Sequence, residues 1–296
     1  MTTNLGASTY RSAMVLEARR ARLTHRTIDV EGLPMGLFTG GPENAPTLVL
    51  LHGFSADRTV WIRFAQRFTK DFHVVIPDLA GHGVTPFVAG AAYSGPAQAA
   101  RVAALLDALG RERVHVLGNS MGGFIGAWFA LADPDRTLTL GLCDAVGVQG
   151  SEPTAVEQAV TAGGTNPFLM DHPSQFDAFY ALTMARPPFV PRFVKAAIAA
   201  DYVARRDALA EIFEGLFGQD PLDDRLGDLT APTLVLWGSE DQLVHPSCAD
   251  AFVAGIPNAR KVVYDGIGHM PMLEVPKRSA TDYRRFLISP RSRPGS

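Results

Sequence analysis

The stretch Val114 to Ala132, VHVLGNSMGGFIGAWFALA, decides the fold of this 296-residue chain. A short apolar run of β type leads into the pentapeptide GNSMG, and an apolar helical run follows. The pattern G-x-S-x-G between a strand and a helix is typical of a nucleophile elbow, a sharp turn that lifts a serine above a parallel sheet. Gly118 and Gly122 leave room for neighbouring backbone on either side of Ser120. We therefore expect Ser120 to be a nucleophile at a helix N-terminus, where partial positive charge favours an anion.

Short apolar runs alternate with helical stretches along the rest of the chain. This alternation is typical of a mostly parallel sheet whose strands are joined by crossover helices. An antiparallel hairpin is predicted at the sheet edge, from 24–30 and 32–38. The other strands are predicted at 47–51, 72–76, 114–117, 137–142, 233–236 and 261–264. Helices are predicted at 60–68, 96–109, 121–131, 246–254 and 276–287.

The alternation stops between residues 146 and 229, where the sequence contains no convincing strand. Aromatic and apolar side chains recur there at helical spacings, and a structureless loop of this length would be unusual in a compact domain. The sequence therefore predicts a helical cap at 146–229, inserted into an α/β core of residues 24–145 and 230–296. Residues 1–23 are predicted to form an N-terminal helical segment.

The composition excludes several classes of protein. With 27 Lys and Arg against 30 Asp and Glu, the net charge is −3, so nucleic acid is not an expected partner. Cys143 and Cys248 are far apart and have no Cys or His at ligand spacing, so we expect neither a disulfide framework nor a metal site. No apolar run approaches the roughly 20 residues of a membrane span, and no signal peptide is recognisable. We therefore expect a cytoplasmic protein.

A serine hydroxyl needs a base, and imidazole has a pKa suited to this task near neutrality. After elbows of this type, the triad partners follow in the order serine, acid, histidine. This order leaves His172, His245 and His269 as candidates. His172 lies in the predicted cap, and His245 is close in sequence to the best acid candidate. His269 lies on a glycine-rich loop, GIGHMP, between the last predicted strand and the last predicted helix, and is the expected base.

The acid has to orient this imidazole and stabilise it when it is protonated. Asp241 follows the strand TLVLW in the sequence GSEDQ, which would place it at the carboxyl edge of the sheet near Ser120 and His269. We expect Asp241 to be the acid. Asp144, at the end of the preceding predicted strand, and Glu240 are alternatives.

Two backbone N–H groups are needed to hold the developing oxyanion. Met121, directly after the nucleophile, should supply one of them, and Phe54 in the loop HGFS should supply the other. His52 precedes the nucleophile in sequence and is expected to shape this loop rather than to act as the base. Asp78 and His82 lie in the turn-rich sequence PDLAGHG and are expected to brace that turn.

These motifs resemble the landmarks of the α/β-hydrolase superfamily in order and spacing: HGFS at 52–55, PDLAGHG at 77–83, GNSMGG at 118–123, WGSEDQLV at 237–244 and GIGHMPMLEVP at 266–276. The resemblance extends from about Arg26 to Leu287 and is strongest to monoacylglycerol-lipase-like proteins and to bacterial lipases and esterases. It implies an eight-stranded sheet with a helical cap between strands 6 and 7, no cofactor, and hydrolysis of an ester. By position it implies the triad Ser120, Asp241 and His269.

Two features depart from this family pattern. Asn119 stands where many relatives have His, and we expect it to alter the surroundings of the acyl pocket. The N-terminal segment carries four arginines, Arg11, Arg19, Arg20 and Arg22, in place of the membrane anchor or export signal of related lipases. It can lie as a basic helix on anionic lipid, or pack as a solvated helix against the domain.

The expected function is serine carboxylic-ester hydrolysis through an acyl-enzyme intermediate. The substrates would be uncharged acyl esters, such as monoacylglycerols or short to medium chain fatty esters. One alternative is hydrolysis of a carbon-carbon bond, or perhydrolysis, on the same triad. Another is a non-catalytic protein of this fold that binds a ligand. The sequence leaves monomer and homodimer open.

Overall fold

An eight-stranded sheet forms the centre of the protein in the computed structural model, which describes residues 2–290. Its strands are β1 (Thr24–Val30), β2 (Leu33–Gly40), β3 (Thr47–Leu51), β4 (His73–Pro77), β5 (Val114–Asn119), β6 (Thr137–Cys143), β7 (Thr233–Gly238) and β8 (Ala259–Tyr264). Their order across the sheet is β1-β2-β4-β3-β5-β6-β7-β8. β2 is antiparallel to β1 and β4, and the other neighbours are parallel. The predicted fold class, a mostly parallel eight-stranded sheet flanked by helices, is confirmed.

Eleven α-helices accompany the sheet within residues 2–290. They are α1 (Thr2–Arg20), α2 (Ile62–Ala65), α3 (Gly95–Ala108), α4 (Met121–Ala132), α5 (Ala155–Thr161), α6 (Phe176–Thr183), α7 (Arg192–Ala204), α8 (Arg206–Leu216), α9 (Ser247–Gly255), α10 (Pro271–Glu274) and α11 (Pro276–Ile288). Among the helices of this described part of the chain, none is long and apolar enough to cross a membrane.

The predicted helix at 60–68 is shorter than expected. Asp57 accepts a hydrogen bond from the backbone N–H of Thr59 at 2.7 Å and starts a 3₁₀ turn at Arg58–Trp61, which runs into the four-residue α2. Beyond α2, the backbone N–H of Phe68 bonds to the carbonyl oxygen of Ala65 in a further tight turn. The apolar side chains are still buried, so their helical spacing was a correct indication of burial but not of helix length.

The central strands are apolar on both faces because helices cover both sides of the sheet. All five residues of β3 are buried. Val49 and Leu51 pack in the cluster that includes residues of α3 and α4, whereas Leu48 and Leu50 pack in the cluster that includes residues of α2 and α11. The strand thus alternates between two apolar cores, which fixes its register.

Helices replace strands between β6 and β7. We call residues 146–229 the inserted helical segment; it contains α5 to α8. It has a small apolar cluster of its own around Met170, Phe176 and Phe179, and Leu209 and Ile212 of α8 belong to the larger core beneath it. The segment is therefore packed on the carboxyl side of the sheet and is not a loose loop.

Helix α1 packs both on the inserted helical segment and on the core. A Cβ on Gly6 would lie 2.3 Å from the carbonyl oxygen of Phe193 in α7, so the two helices touch through this glycine. On its other side, Tyr10 bonds to Thr59 at 3.0 Å. The side chain of Glu17 near the end of α1 pairs with Arg63 at 2.6 Å.

Candidate active site

Ser120 lies in a strained turn directly after β5. Its φ of +53° is in the left-handed region, which a residue with a Cβ rarely adopts. A Cβ on Gly118 would lie 2.1 Å from backbone atoms of Gly122, and a Cβ on Gly122 would lie 2.3 Å from the carbonyl oxygen of Leu51. The backbone N–H of Phe124 bonds back to the Ser120 carbonyl oxygen, so helix α4 begins at the serine. The turn has the strand, glycines and helix that a nucleophile elbow requires.

His269 and Asp241 are joined by a hydrogen bond at the same edge of the sheet. The Nδ1–H of His269 donates to Oδ2 of Asp241 at 2.7 Å, and both side chains are buried. The other carboxylate oxygen accepts from the backbone N–H groups of Leu243 and Val244 at 2.9 and 3.1 Å. Asp241 is thereby fixed, and its carboxylate orients the imidazole through Nδ1. A bond at 3.1 Å from the backbone N–H of His269 to the carbonyl oxygen of Thr183 also ties the base loop to helix α6.

Asn119 brings the base loop against the elbow. Its side-chain amide donates to the carbonyl oxygen of His269 at 3.0 Å and to that of Cys143 at 3.2 Å, and the residue is 1% exposed. We expected Asn119 to alter the surroundings of the acyl pocket, and this effect stays a prediction. The structure shows that its side-chain amide bonds to backbone on the histidine side of the elbow. No local pattern in the sequence indicates this contact, because its partners lie 24 and 150 residues away.

The alternative acids differ sharply from Asp241 in their surroundings. Glu240 is exposed. Asp144 is completely buried, with a φ of +48°, and accepts a hydrogen bond from the backbone N–H of Gly238 at 2.9 Å. Burial raises the pKa of the Asp144 carboxyl well above its usual range, and the charge on Asp241 together with a hydrogen bond between the two carboxyl groups raises it further. Burial therefore favours the protonated form of Asp144, which lies beside the hydrogen-bonded Asp241 and His269.

The raised pKa of Asp144 predicts a pH dependence of stability. Because the pKa of this carboxyl is higher in the folded than in the unfolded chain, its contribution is full below the unfolded value of about 3.9 and is lost as pH rises toward the folded value. Across this window the free energy of unfolding should fall by about 1.4 kcal/mol per pH unit from this group. Asp144→Asn does not ionise and should lack this slope in urea denaturation as pH rises above about 4. Equal slopes for the two proteins would contradict a raised pKa of Asp144.

Asp144, Asp241 and His269 are also the described residues that could approach a metal ion together. Ligand atoms of the three lie within 4.8 Å of one another. The 2.7 Å bond between Asp241 and His269 uses atoms that would have to face the ion. The arrangement therefore fits an acid-base pair better than a metal centre.

The other two candidate histidines are bonded elsewhere. His172 is exposed and its Nδ1 lies 2.9 Å from the hydroxyl of Ser174. His245 is half-buried and forms the same kind of contact with Ser247 at 2.9 Å. Each imidazole therefore closes a local turn of its own.

His52 shapes the loop that carries Phe54. Its Nδ1–H donates to the carbonyl oxygen of Gly53 at 2.8 Å, and its Nε2 accepts from the backbone N–H of Leu79 at 3.0 Å. Burial lowers the pKa of His52, so the ring is neutral and can fill both roles. The loop-shaping role predicted for His52 agrees with these contacts.

Several contacts fix the turn that contains Asp78. The Asp78 carboxylate pairs with the guanidinium of Arg58 and accepts hydrogen bonds from the backbone N–H groups of Arg58 and Val84, both at 2.8 Å. The Nδ1 of His82 lies 3.1 Å from the carbonyl oxygen of Ala80 within the same turn. Asp78 and His82 therefore brace the turn, as predicted.

Aromatic rings from the inserted helical segment enclose Phe54. Its ring makes edge-to-face contacts with Phe168, Phe213 and Phe217, with centroids 5.4 to 5.6 Å apart, and with His82 from the core. Ser120, Asp241 and His269 are only 7%, 5% and 4% exposed. Ser120 and the hydrogen-bonded Asp241 and His269 are therefore buried, and aromatic rings of the inserted helical segment pack against the neighbouring loop.

Comparison with known proteins places this geometry in context. Residues 46–276 match the family model described as alpha/beta hydrolase fold. The chain is 33% identical over 244 residues to Lipase 3 of Moraxella sp. (strain TA144), covering 81% of this chain and 76% of that one. It is 25% identical over 261 residues to monoacylglycerol lipase abhd6-B of Xenopus laevis, covering 84% and 77%. A crystal structure of a membrane phospholipase A, a bacterial virulence factor, matches with a TM-score of 0.94 and 33% identity, covering 98% and 93%.

Proposed function

The chain belongs to the alpha/beta hydrolase fold family and is an ester-hydrolysing enzyme of that family, and on this premise we propose that Ser120, Asp241 and His269 are its catalytic triad. The predicted activity, ester hydrolysis, is confirmed at this level by the lipase relatives. The observation that carries the assignment of residues is the 2.7 Å bond between His269 and Asp241. Asp241 follows β7 at the carboxyl edge of the sheet. Ser120 follows β5 at the same edge and is held at positive φ.

The geometry supports a two-step mechanism. His269 takes the proton of Ser120 while the serine oxygen attacks the ester carbonyl, and Asp241 stabilises the imidazolium that forms. The backbone N–H groups of Phe54 and Met121 hold the oxyanion. His269 then gives the proton to the departing alcohol, and water activated by the same base releases the acid from the acyl-enzyme.

We propose that the inserted helical segment, residues 146–229, is a cap over a core of residues 24–145 and 230–290, with residues 2–23 as an N-terminal helical segment; residue 1 and residues 291–296 of the predicted division lie outside the described residues. The contacts of Phe168, Phe213 and Phe217 with Phe54 support this division, because they join the segment to the loop that carries Phe54. The cap excludes water from the reacting groups and strengthens the electrostatic interactions among them.

The apolar rings around Phe54 indicate the substrate class. We propose uncharged acyl esters, such as monoacylglycerols or short to medium chain fatty esters, because the rings around Phe54 provide apolar surface and no charge. Placing an unpaired carboxylate among these rings would cost several kcal/mol.

A pair of esters of one alcohol tests this class: a butyrate and a hemisuccinate, which differ by a terminal carboxylate. We expect kcat/KM to be at least about 100-fold higher for the butyrate, corresponding to roughly 3 kcal/mol. Spectrophotometric release of p-nitrophenol measures both, with Ser120→Ala as the blank. Equal rates for the two esters would show that the site binds a charged acyl group as well as an uncharged one. Identification of the products separates ester cleavage from carbon-carbon cleavage or perhydrolysis.

We also propose that the protein contacts anionic lipid through α1 and the start of α7. Phe189 is 91% exposed, Leu5 is 65% exposed, and Phe193, which touches Gly6 of α1, is 41% exposed. α1 carries three arginines and one acidic residue, and that acidic residue is paired with Arg63. Exposed apolar side chains beside a basic helix suit an anionic bilayer surface.

Sedimentation with vesicles containing phosphatidylglycerol tests this contact. Binding should exceed that to phosphatidylcholine vesicles and should fall with salt. Phe189→Ser should weaken it several-fold, whereas Ile288→Ser, which removes another exposed apolar side chain, should not. Equal binding by both variants would exclude this surface.

A further inference from the structure

Ser55, the residue after the oxyanion donor Phe54, has an unusual conformation. Its φ is +62°, in the left-handed region, and the residue is 3% exposed. A residue with a Cβ holds this conformation only when its surroundings impose it, and such residues cluster at functional sites. Neighbouring groups must therefore keep the loop in place.

The holding contacts come from the C-terminal end of helix α7 in the inserted helical segment and from Arg205, the residue that follows it. The Ser55 hydroxyl donates to the hydroxyl oxygen of Tyr202 at 3.1 Å. The Nη2–H of Arg205 donates to the carbonyl oxygen of Ser55 at 3.3 Å. One residue of the loop is thus bound through both its side chain and its backbone by two residues about one helical turn apart.

Both holding residues are themselves fixed. The ring of Tyr202 lies 5.6 Å from that of Phe176 and 5.4 Å from that of Phe179. The guanidinium of Arg205 lies 5.3 Å over the Tyr202 ring, and its Nε–H donates to Asp201 at 2.7 Å. Burial raises the pKa of the Tyr202 hydroxyl, which keeps it protonated. The two side chains therefore form a rigid clamp and not a pair of mobile surface groups.

We propose that Tyr202 and Arg205 are positioning residues that aim the backbone N–H of Phe54 at the oxyanion by holding Ser55 from the cap. The inference rests on the proposed function of Phe54 in ester hydrolysis. An oxyanion donor is effective only when it is held in place before the charge develops, and loss of one donor typically costs about 10²- to 10³-fold in kcat. Loosening the clamp misaligns the donor without removing it, so a smaller loss is expected.

Tyr202→Phe and Ser55→Ala test the clamp from its two sides. Tyr202→Phe keeps the packed ring and removes the acceptor, and Ser55→Ala removes the donor of the same bond. We expect each variant to lower kcat by about 10-fold with little change in KM. Because both break one bond, the double variant should be no slower than the slower single variant. Arg205→Lys keeps the charge but loses the planar guanidinium, and its kcat should also be lowered.

Inhibitor binding separates positioning from mere stability. Ser120 adds to the carbonyl carbon of a trifluoromethyl ketone, and the resulting oxyanion needs the backbone N–H of Phe54. The corresponding alcohol forms no oxyanion and does not need this N–H. Affinity for the ketone should fall by the same factor as kcat in Tyr202→Phe, and affinity for the alcohol should stay constant. Arg206→Ala is the matched control, because the neighbouring Arg206 pairs with Asp171 and not with the loop; its kcat and ketone affinity should equal those of the unchanged protein.

Two outcomes would overturn the clamp. One is an unchanged kcat in both Tyr202→Phe and Ser55→Ala. The other is an equal loss of affinity for ketone and alcohol, which would indicate general loosening of the site. Ser120→Ala keeps this inference separate from the proposed function: turnover by that variant would contradict the triad, whereas an inactive Ser120→Ala beside a fully active Tyr202→Phe would contradict the clamp alone.

Discussion

Replacing Ser120 with alanine is expected to lower kcat by about 10⁴- to 10⁶-fold, or roughly 5 to 8 kcal/mol of transition-state stabilisation. The reason is that alanine has no hydroxyl, so the acyl-enzyme cannot form even though the acid-base pair and the oxyanion donors are still present. The fold should persist, because the alanine keeps the Cβ and the same positive φ that Ser120 already tolerates. Initial rates on the butyrate ester and thermal unfolding measure the two effects.

Labelling by a fluorophosphonate provides the control for this variant. The reagent should modify the unchanged protein at Ser120 and should fail to modify Ser120→Ala. Ser12→Ala removes an exposed hydroxyl on α1 and should leave both labelling and turnover intact. Labelling at another serine, or turnover by Ser120→Ala within about 10-fold of normal, would show that the nucleophile lies elsewhere.

Asp241→Asn should have the second largest effect, with a loss of about 10³- to 10⁴-fold in kcat. The Asp241 carboxylate accepts the Nδ1–H of His269 and so keeps Nε2 free to take the serine proton. The backbone N–H groups of Leu243 and Val244 already bind the other carboxylate oxygen, so an asparagine keeps its oxygen there and turns its amide donor toward the ring. The ring then adopts the opposite tautomer, in which Nε2 carries a proton and cannot act as a base.

The alternative acids serve as matched controls. Glu240→Gln changes an exposed neighbour and should leave kcat unchanged. Asp144→Asn replaces a carboxyl whose pKa is raised by burial with an amide of the same shape and should change kcat by no more than a few-fold. A large loss in Asp144→Asn beside a modest one in Asp241→Asn would reverse the assignment of the acid. Rates of all the variants should be compared at one pH, so that a difference in kcat reports the substitution alone.

The centre of the fold could be predicted because its signals are local. The strand, the glycine turn and the helix around Ser120 follow one another within 19 residues, and each depends on nearby sequence. Strand ends were less accurate: Gly118 and Asn119 are breakers by composition, yet they pair with Leu51 and Cys143 in neighbouring strands. Tertiary pairing therefore overrides local preference at the strand ends that carry the site.

The supporting contacts could not be predicted, because they depend on packing between distant parts of the chain. Ser55 and Tyr202 are 147 residues apart, and nothing in either local sequence indicates their bond. The raised pKa of Asp144 is equally non-local, since it results from complete burial beside Asp241. The proposed reacting groups lie in short local motifs, whereas the residues that hold them are brought together only by the fold.

The near-complete enclosure of Ser120, at 7% exposure, has a consequence for turnover. On the proposed assignment of residues 146–229 as a cap, we expect substrate to reach the Ser120 hydroxyl when the cap moves away from the core, and the bonds from Tyr202 and Arg205 to Ser55 to form when it returns. Substrate entry and reaction would then belong to different stages of one cycle. We expect activity to pass through a maximum as the cap is made progressively more mobile, because a rigid cap slows entry and a very mobile cap releases substrate before it reacts.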